Sequence, residues 1–145
     1  MFKHILIATD GSELASKAVT AGLQLAKHLQ AKATAVTATQ AWMAVVTGEA
    51  ALGFPLAEYE RSAADTAARI LAAVSDAAQR TGVACATVHA KDSYPADGIL
   101  ETAKARGCDL IVMASHGRRG LSRLLLGSEA VRVLTHSTVP VLVCR

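Results

Sequence analysis

The sequence predicts an α/β protein built on one doubly wound, five-stranded parallel sheet with helices on both faces. Two observations indicate this fold. Short apolar runs alternate with longer segments of helical periodicity, in the order β-α-β-α-β-α-β-α-β. The runs Ile5-Leu-Ile-Ala8 and Leu110-Ile-Val-Met113 are apolar throughout, as in strands buried on both faces. Right-handed crossovers between such strands make the fold Rossmann-like, and we expect a single domain over residues 1–145.

The first half of the chain predicts two strands and two helices. The strands are expected at residues 5–8 and 33–38, the second more weakly because it is rich in alanine. Residues 12–29 form a predicted helix with Ser12 as its N-cap and this inward face: Ala15, Ala18, Val19, Gly22, Leu25, Ala26 and Leu29. A second helix is predicted over about 58–80 with the following inward face: Tyr59, Ala63, Ala67, Ile70, Val74 and Ala77.

The second half continues the alternation. Strands are predicted at residues 84–89, 108–113 and 139–143, and helices at 95–107 and from 128 to about 136. Pro95 suits the first turn of its helix and Gly107 the end of it. Pro140 cannot donate a ladder hydrogen bond, so the last strand belongs at a sheet edge or begins at a terminus of the ladder. Residues 40–57 are long for a connection and are interpreted as a lid or an interaction loop.

Composition excludes several classes of function. No apolar run approaches the roughly 20 residues that span a bilayer, and no signal-peptide pattern precedes the first strand, so we expect a soluble cytoplasmic protein. The net charge is +3 without a long basic run, which argues against nucleic-acid binding. The three cysteines form no C-x-x-C pair and are expected to be small buried apolar residues. The histidines lack the spacing of a structural metal site.

The segment from Ala114 to Ser128 predicts an anion site. Its glycines at 117, 120 and 127 would let peptide N–H groups approach a ligand, and a helix is predicted to begin at Ser128. Positive charge in the same segment comes from Arg118, Arg119 and Arg123. These features suit phosphate, although a glycine-rich turn with a solvated basic face has the same pattern.

A doubly wound sheet binds ligands at the carboxyl ends of its strands, where the winding direction reverses. If the first strand is central, residues 9–12 and 114–117 face each other across that crevice. Asp10 is then a carboxylate for ribose hydroxyls or for a divalent ion that bridges phosphates, or else it caps the following helix. Ser128 would hold a phosphate, or its side chain would only cap.

Several well-known motifs are absent. There is no G-x-G-x-x-G after the first strand, no P-loop and no G-x-S-x-G nucleophile elbow. Gly117-Arg-Arg-Gly120 resembles the G-x-x-G loop of KH domains, but it follows a buried strand instead of joining two helices. Ser115 and His116 are adjacent without a visible acidic partner, so no catalytic residue is predicted.

Four segments of the sequence carry a resemblance to a known family: residues 5–12, 109–117, 124–128 and 139–143. Through them the whole chain resembles the universal stress proteins. Nucleotide-binding members of that family carry G-x2-G-x9-G-[S/T]. Here Gly117, nine intervening residues and Gly127-Ser128 match this motif, while Ala114 occupies the position of the first glycine.

The resemblance implies binding of ATP or AMP, with Mg²⁺ or Mn²⁺ at Asp10 and a role in regulation or protection under stress. It implies phosphates over Gly117, Gly127 and Ser128, and adenine near Ala38. The full set of expected nucleotide-binding residues is Thr9, Asp10, Ala38, Met113, Ala114, His116, Gly117, Arg118, Arg119, Gly127, Ser128 and Glu129.

The assembly and the activity leave alternatives open. An apolar last strand at a sheet edge favours a homodimer that pairs through this strand, as family members do, unless residues 40–57 or a helix shield it in a monomer. The alternatives to a binding protein are a slow ATPase, with Asp10 placing a metal, and a dimeric interaction protein that has lost its nucleotide site. Nucleic acid and membrane are not expected partners.

Overall fold

The computed structural model describes residues 1–42, 55–117 and 125–145. The five strands of its sheet are β1 (His4–Ala8), β2 (Lys32–Ala38), β3 (Cys85–Ala90), β4 (Leu110–Ala114) and β5 (Val141–Cys144). The long helices of the described ranges are α1 (Glu13–Leu29), α2 (Leu56–Thr81), α3 (Pro95–Arg106) and α4 (Ser128–His136). The strands are parallel in the order β3-β2-β1-β4-β5. The predicted fold class is confirmed, with β1 central and the winding reversed between β1 and β4.

Two apolar layers bury the sheet. Because successive side chains of a strand point to opposite faces, Ile5 and Ile7 of β1 pack in one cluster with α1 and α2, whereas Leu6 packs in another with α3 and α4. The central strands β1 and β4 are buried along their whole length. Helices therefore cover both faces, and the carboxyl ends of β1 and β4 open at the same edge.

Helix α1 begins as predicted and lies close to the sheet. The Ser12 hydroxyl accepts a hydrogen bond from the Ala15 N–H at 3.2 Å and caps the helix. A Cβ at Gly22 would lie 2.8 Å from Ile7 Cγ1, so this glycine permits the close approach of α1 to β1. The buried face includes Leu23, which the prediction left out, while Leu25 is only half-buried.

The face of α2 differs from the prediction. The buried residues are Ala67, Leu71, Val74 and Ala78, and the predicted Ile70 is half-buried. Alanines lie on all sides of this helix, so more than one of its faces could pack against the sheet. Its docking against β2 and β3 therefore decides which face is buried. The helix also starts at Leu56, inside the segment predicted as a connection, and residues 43–54 of that segment lie outside the described residues.

The sheet ends at β3 and at β5. The predicted edge position of the last strand is confirmed. The strand begins at Val141, later than predicted. Pro140 lies just before it, and its carbonyl accepts the Ile111 N–H at 3.0 Å. The three cysteines are free thiols. Burial, followed by the charge of Asp109, raises the pKa of Cys108 to about 11, which suits an inert apolar role.

No helix within the described ranges is long and apolar enough to cross a membrane.

Candidate functional site

A cavity of about 370 Å³ opens at the carboxyl ends of β1, β2 and β4, beside the first turns of α3 and α4. Every described residue of the expected nucleotide site lines it: Thr9, Asp10, Ala38, Met113, Ala114, His116, Gly117, Gly127, Ser128 and Glu129. The expected residues Arg118 and Arg119, and the nearby Arg123, lie outside the described residues. The two segments predicted to face each other across the crevice therefore meet around one cavity.

The turn after β1 is held by its own side chains. Asp10 Oδ1 accepts the Ser12 N–H at 2.9 Å, and Thr9 Oγ1 accepts the Gly11 N–H at 3.1 Å. A Cβ at Gly117 would lie 2.8 Å from Asp10 Oδ2. Asp10 thus supports the turn that leads into α1, but the helix-capping role foreseen for it belongs to Ser12. The Asp10 carboxylate lies beside Gly117, so a side chain at that position would collide with it.

The amino end of α4 faces the cavity without a side-chain cap. Gly127 is the N-cap residue and has no side chain to bond the first turn, so Ser128 occupies the first helical position and is not the cap. The Gly127 N–H donates to Ser115 O at 2.8 Å. A Cβ at Gly127 would lie 3.0 Å from that same oxygen, so glycine lets the two loops approach. Uncapped first-turn N–H groups make this end of α4 suited to an anion.

Ser115 and His116 form a polar pair in the wall. Ser115 is buried, and its hydroxyl is hydrogen-bonded to His116 Nδ1 at 3.0 Å. This bond fixes the imidazole ring near Gly127, where an added Cβ would lie 3.7 Å from His116 Cδ2. The pair gives the cavity hydrogen-bonding groups on the side of α4.

Glu129 joins α4 to α3. Its Oε2 accepts the Ala96 N–H at 2.7 Å, so it supplies the bond that the N-cap residue Tyr94 does not make through its side chain. A second link, the exposed pair of Arg132 and Asp97 at 3.4 Å, connects the same helices. One carboxylate oxygen of this expected ligand residue is therefore engaged in helix capping.

The sequence reasoning missed the wall formed by β2 and α3. The residues of this wall that were not predicted are Val36, Gln40, Pro95 and Ile99. Pro95 and Ile99 are four residues apart at the start of α3, a spacing that puts both on one helix face and that was visible in the sequence. Gln40 lies two residues beyond Ala38, so strand periodicity had already ended before it.

Hydrogen bonds fix the end of β2 beside this wall. Thr39 Oγ1 is bonded to His89 Nε2 at 2.8 Å, and the Tyr59 hydroxyl donates to Gln40 O at 2.7 Å. Burial, and next to it the positive charge of Lys91, lowers the pKa of His89, so the neutral ring is favoured in this contact. Burial, and next to it the negative charge of Asp92, raises the pKa of Tyr59, so its hydroxyl keeps its proton and donates the hydrogen bond.

Asp10 is the acidic residue of the cavity wall at the turn after β1. Over residues 1–42, 55–117 and 125–145, no group of three His, Cys, Asp or Glu side chains is arranged to hold a metal ion. Mg²⁺ bound to a nucleotide needs only one or two protein carboxylates, because phosphates and water complete its shell. Asp10 fits that single role.

Comparison with known proteins gives one family. Residues 1–145 match the model of the universal stress protein family. The chain is 34% identical to universal stress protein YxiE of Bacillus subtilis over the full length of both. It is similar in structure to the universal stress protein UspA from Lactobacillus plantarum, with 26% identity, a TM-score of 0.81 and coverage of 99% of this chain and 97% of that one. A universal stress protein solved in complex with cAMP has 25% identity, a TM-score of 0.70 and the same coverage.

Proposed function

The chain belongs to the universal stress protein family, and we propose that it is a stress-response protein that binds an adenine nucleotide, ATP or AMP, between β1 and β4. The observation that carries the proposal is the cavity at the reversal of the sheet, which is lined from three strands and from the starts of α1, α3 and α4. A similar protein has been solved with cAMP, which is an adenine nucleotide, and this supports the same ligand class here.

The chemistry of the walls suggests an orientation for the nucleotide. The phosphates would lie against Gly117, Gly127 and Ser128, where the uncapped start of α4 favours negative charge. The ribose hydroxyls would bond Asp10, which would also hold Mg²⁺ or Mn²⁺ carried by the phosphates. The base would enter between Ala38 and the apolar start of α3.

The phosphate end can be tested without disturbing the fold. Ser128 is exposed and is the first residue of α4, so Ser128→Asp puts a carboxylate where helix N-termini accept it favourably. The same carboxylate would repel phosphate. We expect Ser128→Asp to lower AMP and ATP affinity at least about tenfold, which is 1.4 kcal/mol, without lowering the melting temperature.

Calorimetric titration and thermal shift with ATP and AMP give the readout, since a ligand that binds only the native state raises its stability. Ser128→Asn is the uncharged control of similar size and should keep most of the affinity. If the wild-type protein gives neither heat nor a thermal shift with either nucleotide, the proposed function is wrong. Equal affinities of Ser128→Asp and wild type would instead refute the phosphate position.

We also propose a homodimer through β5. This strand lies at the sheet edge, where Leu142 is 41% exposed, and the adjoining helix α4 exposes Val131 at 46% and Leu134 at 41%. An apolar edge strand is an aggregation hazard unless it is charged, covered or paired with another strand. A second copy would cover both the edge and these side chains with the same surface.

A further inference from the structure

The cavity has two chemically different ends. At one end of the cavity, polar lining residues follow β1 and β4 or open α4: Thr9, Asp10, Ser115, His116, Ser128 and Glu129. At the end formed by β2 and α3 the lining residues are Val36, Ala38, Gln40, Pro95 and Ile99. We call this second group the apolar end of the cavity. Among its described residues, Gln40 is the one with a polar side chain, so hydrogen bonds from a side chain to a ligand at this end would come from the Gln40 amide.

The backbone around Gln40 is largely engaged by the protein. The Thr39 N–H donates to Ala90 O at 3.0 Å, and Thr39 O accepts the Ser93 N–H at 3.1 Å. Gln40 O accepts the Tyr59 hydroxyl at 2.7 Å. In the part of the chain that the structure describes, the side-chain amide of Gln40 makes no hydrogen bond. It is therefore available to a ligand in this cavity.

Tyr59 holds Gln40 from the first turn of α2. Its ring lies 5.4 Å from that of Trp42, at an angle of 58° between the ring planes, and its hydroxyl reaches the Gln40 carbonyl. Gln40 thus has strand pairing on one side, through Thr39, and a helix contact on the other. These contacts fix the backbone from which the Gln40 side chain extends, and this limits the region that its amide can reach.

We infer that Gln40 reads the nucleotide base and selects adenine over guanine, with Tyr59 as its positioning residue. A glutamine amide carries an acceptor and a donor side by side. Adenine presents an amino donor beside the acceptor N7, and the amide bonds both; guanine presents two acceptors, O6 and N7, and opposes the amide oxygen. The inference rests on the proposed function, because it assigns base selection to the same cavity.

The test compares AMP with GMP by calorimetric titration. The two nucleotides carry the same phosphate and ribose, so the ratio of their affinities isolates the base. The wild-type protein should prefer AMP by about tenfold or more. Gln40→Met keeps the length and the neutral charge of the side chain but removes its hydrogen bonds, and it should bring the ratio close to one. Gln79→Met, on the exposed surface of α2, is the matched control and should keep the wild-type ratio.

Tyr59→Phe tests the positioning role. It keeps the ring beside Trp42 and removes the hydroxyl that bonds Gln40. The ratio of AMP to GMP affinity should fall, while the affinity for ribose 5-phosphate, which lacks a base, should stay at the wild-type value. An unchanged ratio in folded Tyr59→Phe overturns the positioning role.

The outcomes separate this inference from the proposed function. If wild-type protein binds neither AMP nor GMP, the proposed function and the inference are both overturned. If it binds AMP and folded Gln40→Met keeps the wild-type ratio, only base selection by Gln40 is overturned. Circular dichroism checks the fold of each variant; should Gln40→Met not fold, Gln40→Leu replaces it with the same expectation and the same contradicting result.

Discussion

Ala114 stands where nucleotide-binding members of the family have a glycine, and its surroundings indicate why a methyl group fits. Ala114 is the last residue of β4 and belongs to the apolar cluster with Ile5 and Val112 on the α1 side of the sheet. Alternation along the strand puts the side chain of Met113 in the opposite cluster with Ile99 of α3. The methyl group of Ala114 is thus part of the core at the edge of the cavity.

Ala114→Gly is therefore expected to affect stability more than binding. Glycine in a strand costs about 0.5–1 kcal/mol relative to alanine through chain entropy, and the buried methyl contact is also lost. Denaturant unfolding should show the lower free energy, whereas calorimetry should give the wild-type affinity for ATP. A gain in affinity of about tenfold or more would mean that the methyl group obstructs the nucleotide.

Two histidines predict a dependence of stability on pH. His4 is buried and bonded to Thr34, and burial, then Lys32, lowers its pKa below the ordinary 6.5. Burial lowers the pKa of His89 as well. As the pH falls through 6.5 the unfolded chain takes up protons before the folded one does, so the free energy of unfolding should decrease.

Urea unfolding at several pH values between about 7.5 and 5 measures this loss. The double variant His4→Gln, His89→Gln removes both titrating rings and should flatten the dependence over that range. His28→Gln, at an exposed position of α1, is the control. A double variant as sensitive to acid as the wild-type protein would show that other groups dominate.

At the scale of the elements, the turn between β1 and α1 links folding to the proposed metal. Asp10→Ala removes the acceptor of the Ser12 N–H and should cost about 1 kcal/mol of stability. Asp10→Asn keeps an oxygen acceptor but removes the charge. Both variants should weaken Mg²⁺-dependent ATP binding, and Asp10→Asn should do so with the smaller loss of stability.

The same variants test the slow-ATPase alternative. No general base is expected from the sequence, so turnover should fall far below the median of about 10 s⁻¹ for enzymes. Phosphate release by purified protein measures it. Turnover near that median, abolished by Asp10→Asn, would make the protein an enzyme.

The order of the elements followed from periodicity because each strand is either fully buried or bounded by turn residues. Gly82 and Gly107, for example, end α2 and α3 in the left-handed conformation, with φ of 79° and 65°. The inward face of α2 did not follow: Ile70 and Leu71 are adjacent and both apolar, and only the docked helix buries Leu71 more deeply. Local sequence therefore specified the helix but not its rotation.

The site was predictable to the extent that it depends on strand ends. The reversal of winding put Asp10 and Gly117 together, as the sheet rule requires. The contact of Tyr59 with Gln40 and that of Glu129 with Ala96 join residues 19 and 33 positions apart through docked helices. Such contacts depend on helix orientation, which no strand or motif pattern encodes.

At the scale of the whole molecule, the two sheet edges differ in their apolar exposure. At β3, Ala86 and Thr87 are exposed, both small side chains. At β5, the large side chain of Leu142 is exposed, and α4 adds Val131 and Leu134. The second edge therefore has more to gain from burial, since each large apolar side chain contributes about 1.5–3 kcal/mol when fully buried.

The proposed dimer through β5 predicts a specific loss of assembly. Leu142→Lys puts a charge on the exposed side of the strand. Val141 and Val143 already pack against the core under α3 and α4, so substitutions there would affect folding as well.

Light scattering at micromolar concentration should give the mass of a dimer for wild type and of a monomer for Leu142→Lys, because a lysine on an edge strand opposes pairing. Thr87→Lys, at the β3 edge, is the matched control and should stay dimeric. A monomeric wild-type protein would refute the dimer, and a dimeric Leu142→Lys would move the interface away from β5.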